Sequence, residues 1–292
     1  MFNRERLTLS VETSEVRLLV ARGQRILRWG NAPLPAGIVR NGQVVQPTAF
    51  GQVVGSLVEE IDGPRRRAVV SLSGERSLVR ILSLPAVPPR LQEEAIRRAA
   101  RRELPLPLEE LYLSSQVIGN RSATQLQVFT LGIPREAVDN CIAGLLSADV
   151  RPVAMDLKPL ALVRAVSLPD VLLADLEKET MSAVLVRGFV PYIARSIALP
   201  GEVARPLAER ADQLIAEIQR TLDFYDSTAA SGHSPWSPVV CLTGVLGDKE
   251  EVRSRVGAMW PLVEPDIPLS LSKDLPLLPY LVNIGLAMKR LT

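Results

Sequence analysis

A stretch of about thirty residues occurs twice in this chain, and the duplication restricts the folds that the chain can adopt. The first copy spans residues 7–37 and the second spans residues 172–201. At an offset of 165 residues, the identical pairs include Glu12 with Glu177, Arg22 with Arg187, Gly23 with Gly188, Leu34 with Leu199, and Pro35 with Pro200. Copies this far apart favour two similar lobes over a solenoid, whose repeats are roughly 20–50 residues long.

Each copy has the pattern of a hairpin. Apolar residues alternate or run together before Gly23 and before Gly188. Each glycine supplies the positive φ that a tight turn requires. Each copy therefore predicts two strands joined by a tight turn, with a third extended piece that ends at Leu-Pro.

The composition of the whole chain is that of a globular protein. Its 292 residues suit two compact domains or one bilobed unit. The formal net charge of +2 argues against bulk electrostatic binding of nucleic acid or of a membrane surface. Cys141 and Cys241 lie far apart and flank no metal-ligand pattern, so we expect buried thiols in a reducing compartment.

The two ends of the chain favour a cytoplasmic protein. The N-terminal residues lack the apolar run of a signal peptide. The apolar stretch 275–288 is too short and too rich in proline to span a bilayer. The single histidine, His233, lies in a Ser/Gly/Pro-rich loop, which argues against a histidine metal site or a Ser-His-Asp triad. We expect the protein to reach a membrane only through a partner.

Turn residues and hydrophobic spacing divide the chain into three parts. We expect residues 1–75 and 150–170 to form a first lobe, residues 76–149 a small inserted domain, and residues 171–292 a second lobe. Within the insert, a helix is predicted at 90–104, and strands at 111–118 and 125–132 are predicted to join at Gly119-Asn120. In the second lobe, residues 204–227 predict one long helix.

The predicted helix at 90–104 carries acidic residues near its start and four arginines towards its end. Glu93 and Glu94 stand four residues before Arg97 and Arg98, which predicts i,i+4 ion pairs. We interpret the arginines as a solvated face. The alternative is a surface for an acidic partner or an anionic membrane.

Seven short strings support a family assignment through their order and spacing. They are 80–85 (RILSLP), 104–111 (LPLPLEEL), 134–139 (PREAVD), 149–161 (DVRPVAMDLKPLA), 217–225 (EIQRTLDFY), 242–244 (LTG) and 284–290 (IGLAMKR). Together they resemble the type IV pilus assembly protein PilM, an actin-like family related to the division protein FtsA. The resemblance covers nearly the whole chain. It implies an α/β, actin-like (ribonuclease H-like) bilobed fold with a small α+β domain inserted in the first lobe.

In actin-like proteins, the two hairpins grip a nucleotide, and each carries an Asp-x-Gly pattern. The resemblance therefore points to the following residues as nucleotide ligands, if a nucleotide site is retained: Ser10, Thr13, Asp175, Thr180, Thr243 and Gly244. Both glycine positions of the pattern are glutamate here, Glu12 and Glu177. A carboxylate at ~4 Å from a phosphate costs roughly 4 kcal/mol at an effective dielectric near 20.

The segment between the second hairpin and the long helix is also shorter than is usual in this family. This implies a reduced subdomain around residues 202–237, the part that normally covers the nucleotide. We therefore expect no cofactor, no bound metal and no catalytic residue. The alternative is an actin-like ATPase that holds Mg-ATP with Asp175 and Thr243-Gly244.

The resemblance also implies a partner. In this family, the groove between the first lobe and its inserted domain receives a short N-terminal peptide of the inner-membrane protein PilN. We expect a scaffold or adaptor that is cytoplasmic and peripheral to the inner membrane through such a partner. The sequence leaves open whether the protein self-associates. It also leaves open whether the protein works in a type II secretion machine instead of a pilus. The candidate partner-binding residues are Arg80, Leu82, Leu84, Leu104, Pro105 and Leu106; the alternative for each is ordinary core or turn packing.

Overall fold

A computed structural model describes residues 5–122, 124–199, 205–228, 238–267, 270 and 273–291, with the backbone alone at 120–122 and 228. His233 lies outside the described residues, and so does most of the loop predicted at 229–238. The predicted subdomain around 202–237 is described only at 205–228.

The strands and helices alternate along the chain. The first part contains β1 (Arg6–Val11), β2 (Glu15–Arg22), β3 (Arg25–Pro33), β4 (Val39–Arg40), β5 (Gln43–Val44), α1 (Pro47–Glu60) and β6 (Arg66–Leu72). The middle part contains β7 (Leu78–Pro85), α2 (Pro89–Glu103), β8 (Leu111–Ser122), β9 (Gln125–Pro134) and α3 (Arg135–Ser147). The last part contains β10 (Arg151–Leu157), α4 (Lys158–Val166), β11 (Val171–Leu176), β12 (Thr180–Arg187), β13 (Val190–Ala198), α5 (Leu207–Thr228), β14 (Val240–Thr243), α6 (Glu250–Gly257) and α7 (Leu277–Ala287).

The duplication appears as three strands with the same lengths in each copy. Strands β11, β12 and β13 begin and end 165 residues after β1, β2 and β3. The first sheet has the strand order β10-β6-β1-β2-β3, and the second has the order β13-β12-β11-β14. In both sheets the first strand of the repeat pairs antiparallel with the next strand and parallel with a later one, β6 or β14. The predicted duplication is thus present strand by strand.

One apolar core connects the two sheets. It contains residues of β2, β6, β11, β12 and β14 together with the facing sides of α4 and α7. The two helices pack very closely, because a Cβ atom at Gly285 would lie 1.9 Å from the carbonyl oxygen of Ala161. A second core lies between the other face of the second sheet and helices α5 and α6.

Residues Arg76–Asp139 form a compact unit of their own, and the remainder of the chain forms the other unit. The smaller unit has a three-stranded sheet in the order β7-β9-β8. Helix α2 covers one face of this sheet, with Ile96, Ala99 and Ala100 packed against Leu82 and Leu84. The predicted ion pairs on α2 are present, because Arg97 and Arg98 lie 3.3 Å and 2.5 Å from Glu93 and Glu94.

The predicted turn at Gly119-Asn120 is wrong. Both residues belong to β8 and pair with Gln127 and Leu126 of β9. The register shifts between Val117 and Gly119. A bulge at Ile118 accommodates this shift, and the pairing of β8 with β9 continues beyond it.

None of the helices in the described part of the chain combines the length and the apolar character that a membrane span requires.

Candidate functional site

The two copies of the repeat bring two equivalent turns together. Residues 12–15 connect β1 to β2, and residues 177–180 connect β11 to β12. Each turn closes with the same backbone hydrogen bond, from the Glu12 N–H to the Glu15 carbonyl and from the Glu177 N–H to the Thr180 carbonyl, both 2.9 Å long. Because β1, β6 and β10 run parallel, their carboxyl ends meet at the first turn. This is the edge at which open α/β sheets usually bind ligands.

A lysine side chain lies between the two turns. Lys158 is the first residue of α4 and directly follows β10, and its side chain is 2% exposed. Its ammonium nitrogen lies 2.7 Å from Asp175, 3.0 Å from both carboxylate oxygens of Glu12 and 3.5 Å from Glu177. Three buried carboxylates, one from the first repeat and two from the second, therefore surround one cation.

An arginine makes the second connection between the turns. Arg17 of β2 is also 2% exposed. Two of its nitrogens donate to the two carboxylate oxygens of Glu177 at 2.8 Å and 2.7 Å, and its Nε donates to Glu15 at 2.7 Å. Such bidentate pairs fix geometry as well as charge. At the rim of the site, the half-exposed Lys178 donates back to Glu15 at 3.2 Å.

Two hydroxyl groups and a further arginine complete this polar network. Thr243 donates to Asp175 at 2.8 Å, and Ser10 donates to Glu12 at 3.2 Å. Arg210 of α5 donates to the backbone carbonyls of Glu177 and Lys178. The second turn is thus held both by its side chains and by its backbone.

Burial and charge act on the carboxyl groups in different directions. Burial raises the pKa of Glu12 to about 7, against the attraction of Lys158. Burial also raises the pKa of Asp175. Burial favours a higher pKa for Glu177 as well, but the attraction of Lys158 and Arg17 outweighs it and lowers this pKa to about 2.

The residues that were predicted as nucleotide ligands lie in or beside this network. Ser10, Asp175 and Thr243 are buried in it. Thr13 and Thr180 line a cavity of about 10 Å³ between the two turns. Gly244 follows β14 with a φ of +85°, and a Cβ atom there would lie 2.6 Å from the Leu176 carbonyl oxygen.

The space between the two turns is small compared with an ordinary ligand site. Ligand sites usually enclose about 300–1,000 Å³, and the cavity between the turns has room for roughly one water molecule. The carboxylates that could face a metal ion are already bonded to Lys158 and Arg17. Within the described residues, no group of three or more acidic, cysteine or histidine side chains is arranged to hold a metal.

Sequence reasoning missed Arg17, Lys158 and Glu15. Arg17 stands within the apolar strand EVRLLV, and Lys158 stands between Leu157 and Pro159 at the start of a helix. A charged residue inside an apolar run is almost never buried unless it is paired. That signal marks both cations, but it does not identify their partners.

The candidate partner-binding residues all lie in the compact unit Arg76–Asp139. Leu82, Leu84 and Leu104 are buried in its core, and Leu106 packs against that core. Arg80 and Pro105 are exposed. Strand β7, which carries three of the predicted residues, is one of the two edges of the sheet β7-β9-β8.

Replacement of Lys158 by methionine leaves three buried carboxylates without their shared cation. We expect Lys158→Met to lower the free energy of unfolding by about 3–5 kcal/mol, the cost of breaking a buried pair from one side. Lys178→Met is the matched control, because Lys178 is half-exposed, and it should cost less than about 1 kcal/mol. Urea denaturation of both variants measures the difference. Equal, small losses would show that Lys158 does not hold the two turns together.

The raised pKa of Glu12 predicts a pH dependence of stability. The folded protein holds this proton more tightly than the unfolded chain, whose carboxyl titrates near 4.5. The stabilisation from this group is therefore complete below about pH 4.5 and is lost as the pH rises to about 7. The shift corresponds to a loss on the order of 3 kcal/mol.

We expect Glu12→Gln to remove this part of the slope when the free energy of unfolding is measured between pH 5 and pH 7. A slope of the same sign should persist because the pKa of Asp175 is also raised. The exposed Glu251→Gln is the charge-matched control and should keep the wild-type profile. A Glu12→Gln profile parallel to the wild type would contradict the assignment.

Comparison with known proteins agrees with this architecture. A family model described as "Type IV pilus assembly protein PilM" matches residues 9–189. Among curated proteins, none matches this sequence. A solved structure of a PilM-PilN type IV pilus biogenesis complex is similar with a TM-score of 0.77 and 24% identity, over 98% of each chain.

Two more distant structures show the same fold. The cytoplasmic domain of EpsL, an inner-membrane component of the type II secretion system of Vibrio cholerae, has a TM-score of 0.54 and 12% identity, over 99% of this chain and 97% of its own. The ethanolamine utilization protein EutJ from Carboxydothermus hydrogenoformans has a TM-score of 0.55 and 12% identity, over 99% and 90%. The predicted actin-like α/β fold is confirmed. With a family model matched over more than half of its length, the chain belongs to the type IV pilus assembly protein PilM family.

Proposed function

We propose that this protein is a nucleotide-independent scaffold of a type IV pilus assembly machine, which docks an extended N-terminal peptide of a PilN-like inner-membrane protein. One observation carries the first half of this proposal. The Lys158 ammonium lies 2.7–3.5 Å from three buried carboxylates at the junction of the two repeats. The junction is thereby closed by the protein's own side chains.

Opening that junction for a nucleotide would require several ion pairs to break together. Lys158 would have to leave Glu12 and Asp175, and Arg17 would have to release Glu177. Each cation removed from its buried partners leaves unpaired charge, at a cost of about 3–5 kcal/mol. A micromolar nucleotide gains only about 8 kcal/mol on binding. The internal ion pairs therefore favour the nucleotide-free state.

The second half of the proposal is supported by the free edge of strand β7. An edge strand presents unpaired backbone N–H and C=O groups, to which an extended peptide can add as a new strand. Leu82 and Leu84 of β7 pack against α2. The edge of β7 is therefore held in position before a peptide binds. The similar structure of a PilM-PilN complex motivates the choice of partner. The exposed Arg80 and Pro105 would contact the side chains of the peptide.

Titration of the purified protein with Mg-ATP tests nucleotide independence. We expect no heat of binding and no shift of the melting temperature at about 1 mM Mg-ATP, because a ligand far below its Kd adds no stability. Binding in the micromolar range would contradict the proposal. It would favour the alternative of an actin-like ATPase in which Asp175 and the Thr243-Gly244 segment face Mg-ATP.

Fluorescence anisotropy with the N-terminal peptide of the PilN-like protein tests the docking site. We expect micromolar binding that depends on the peptide backbone, because strand addition uses main-chain hydrogen bonds. Peptides methylated at every second backbone nitrogen provide the test and its control. One alternating set should abolish binding, and the other set, whose N–H groups point away from β7, should preserve it.

Two outcomes would contradict docking at an edge strand. The first is an unmodified peptide that does not bind at about 1 mM, a concentration that detects even weak complexes. The second is equal tolerance of both methylation sets, which would show that the peptide does not pair as a strand.

A further inference from the structure

The second edge of the small sheet is strand β8, which is exposed on both of its faces. Strand β8 pairs with β9 alone among the strands that the structure describes. Its residues Ser114, Ser115, Gln116 and Val117 are all exposed. Since successive side chains of a strand point to opposite faces, four exposed residues in a row mean that both faces of β8 are open to solvent here.

Residues 111–117 of this edge, which precede the bulge at Ile118 and the charged Arg121, also lack the features that normally prevent strand pairing. Natural edge strands are usually protected by charged residues, by proline or by strong bulges. Residues 111–119 contain no charged residue and no proline. The other edge, β7, carries the exposed Arg80 and ends at Pro85. The two edges of one sheet are therefore built differently.

The polarity of β8 is symmetric about Ser115. Ser114 and Gln116 flank it as polar residues, and Leu113 and Val117 follow as apolar residues on either side. All five pair with β9 in regular register. In an antiparallel pair of identical strands centred on Ser115, each Leu113 would lie opposite a Val117 and each Ser114 opposite a Gln116. Apolar residues would meet apolar ones, and polar residues would meet polar ones.

The start of β8 is fixed in place before any pairing. The Tyr112 hydroxyl donates to Asp139 at 2.9 Å, and the Arg135 guanidinium lies 4.3 Å from the centre of the Tyr112 ring. Arg135 also donates to the Glu109 carbonyl at 2.8 Å. A rigid edge loses little conformational entropy on pairing.

We propose that β8 is a self-association edge, at which two copies of this chain pair their β8 strands antiparallel about a two-fold axis at Ser115. The result is a continuous six-stranded sheet across two molecules. Such pairing is closed by symmetry, so it yields a dimer and not a filament. The interface is small, and small interfaces of this kind form weak, concentration-dependent complexes. The proposal does not depend on nucleotide binding or on a peptide at β7.

Sedimentation equilibrium of the full chain tests the dimer. Between about 1 µM and about 200 µM, a range that spans weak complexes, the average mass should rise from 31.9 kDa towards twice that value. Gln116→Lys places two positive charges diagonally across the axis and should keep the protein monomeric. Ser83→Lys, an exposed substitution on β7, is the matched control and should dimerise like the wild type.

A mixture of Gln116→Lys and Gln116→Glu proteins should regain the dimer, because the opposite charges then attract. A wild type that stays monomeric throughout the range would overturn the proposal. So would a Gln116→Lys protein that dimerises like the wild type.

A disulfide test fixes the register and does not depend on charge. At the two-fold axis, residue 115 faces its own copy with Cα atoms about 4.5–5.5 Å apart, within the range of a disulfide. Ser115→Cys should therefore form a covalent dimer on mild oxidation. The native thiols should not interfere, because Cys141 and Cys241 are fully buried and burial raises the pKa of each to about 12. Ser83→Cys is the control and should stay monomeric. Equal cross-linking of both variants would reflect random collision and would overturn the proposal.

Discussion

The contact between the Lys158 ammonium and the carboxylates of Glu12, Asp175 and Glu177 sets the relation between the two halves of the duplicated structure. A buried ion pair of this kind is costly to form, and it is much more costly to break from one side. Because its members come from β10–α4, from the first turn and from the second turn, the pairing is complete only when both sheets and α4 are in place. The network therefore determines how the two repeats pack against each other.

The same contact explains why a fold that often surrounds a ligand can be stable here with its junction closed. A bound ligand stabilises a protein by binding the folded state and not the unfolded one. A side chain that occupies the junction does so permanently and independently of concentration. Arg17, with its two bonds to Glu177, contributes to the closed junction in the same way.

The sequence predicted the parts of this structure that depend on local pattern. The repeat offset, the helix at 90–104 and its ion pairs follow from spacing and turn chemistry, and the structure contains them. The cations of the site could not be assigned, because Lys158 lies 146 residues from Glu12 and Arg17 lies 160 residues from Glu177. The turn predicted at Gly119-Asn120 failed for a different reason. Its turn-forming residues were overridden by continued pairing with β9 beyond a bulge.

The shared apolar core around α4 and α7 has a consequence for how the protein loses its structure. Side chains from both sheets pack on these helices, and Gly285 allows no gap between the helices. Neither repeat can then melt while the other stays intact, so the two form a single cooperative unit although each has its own sheet. The residues of Arg76–Asp139 have their own core. This unit can therefore open locally while the core that the two repeats share stays folded.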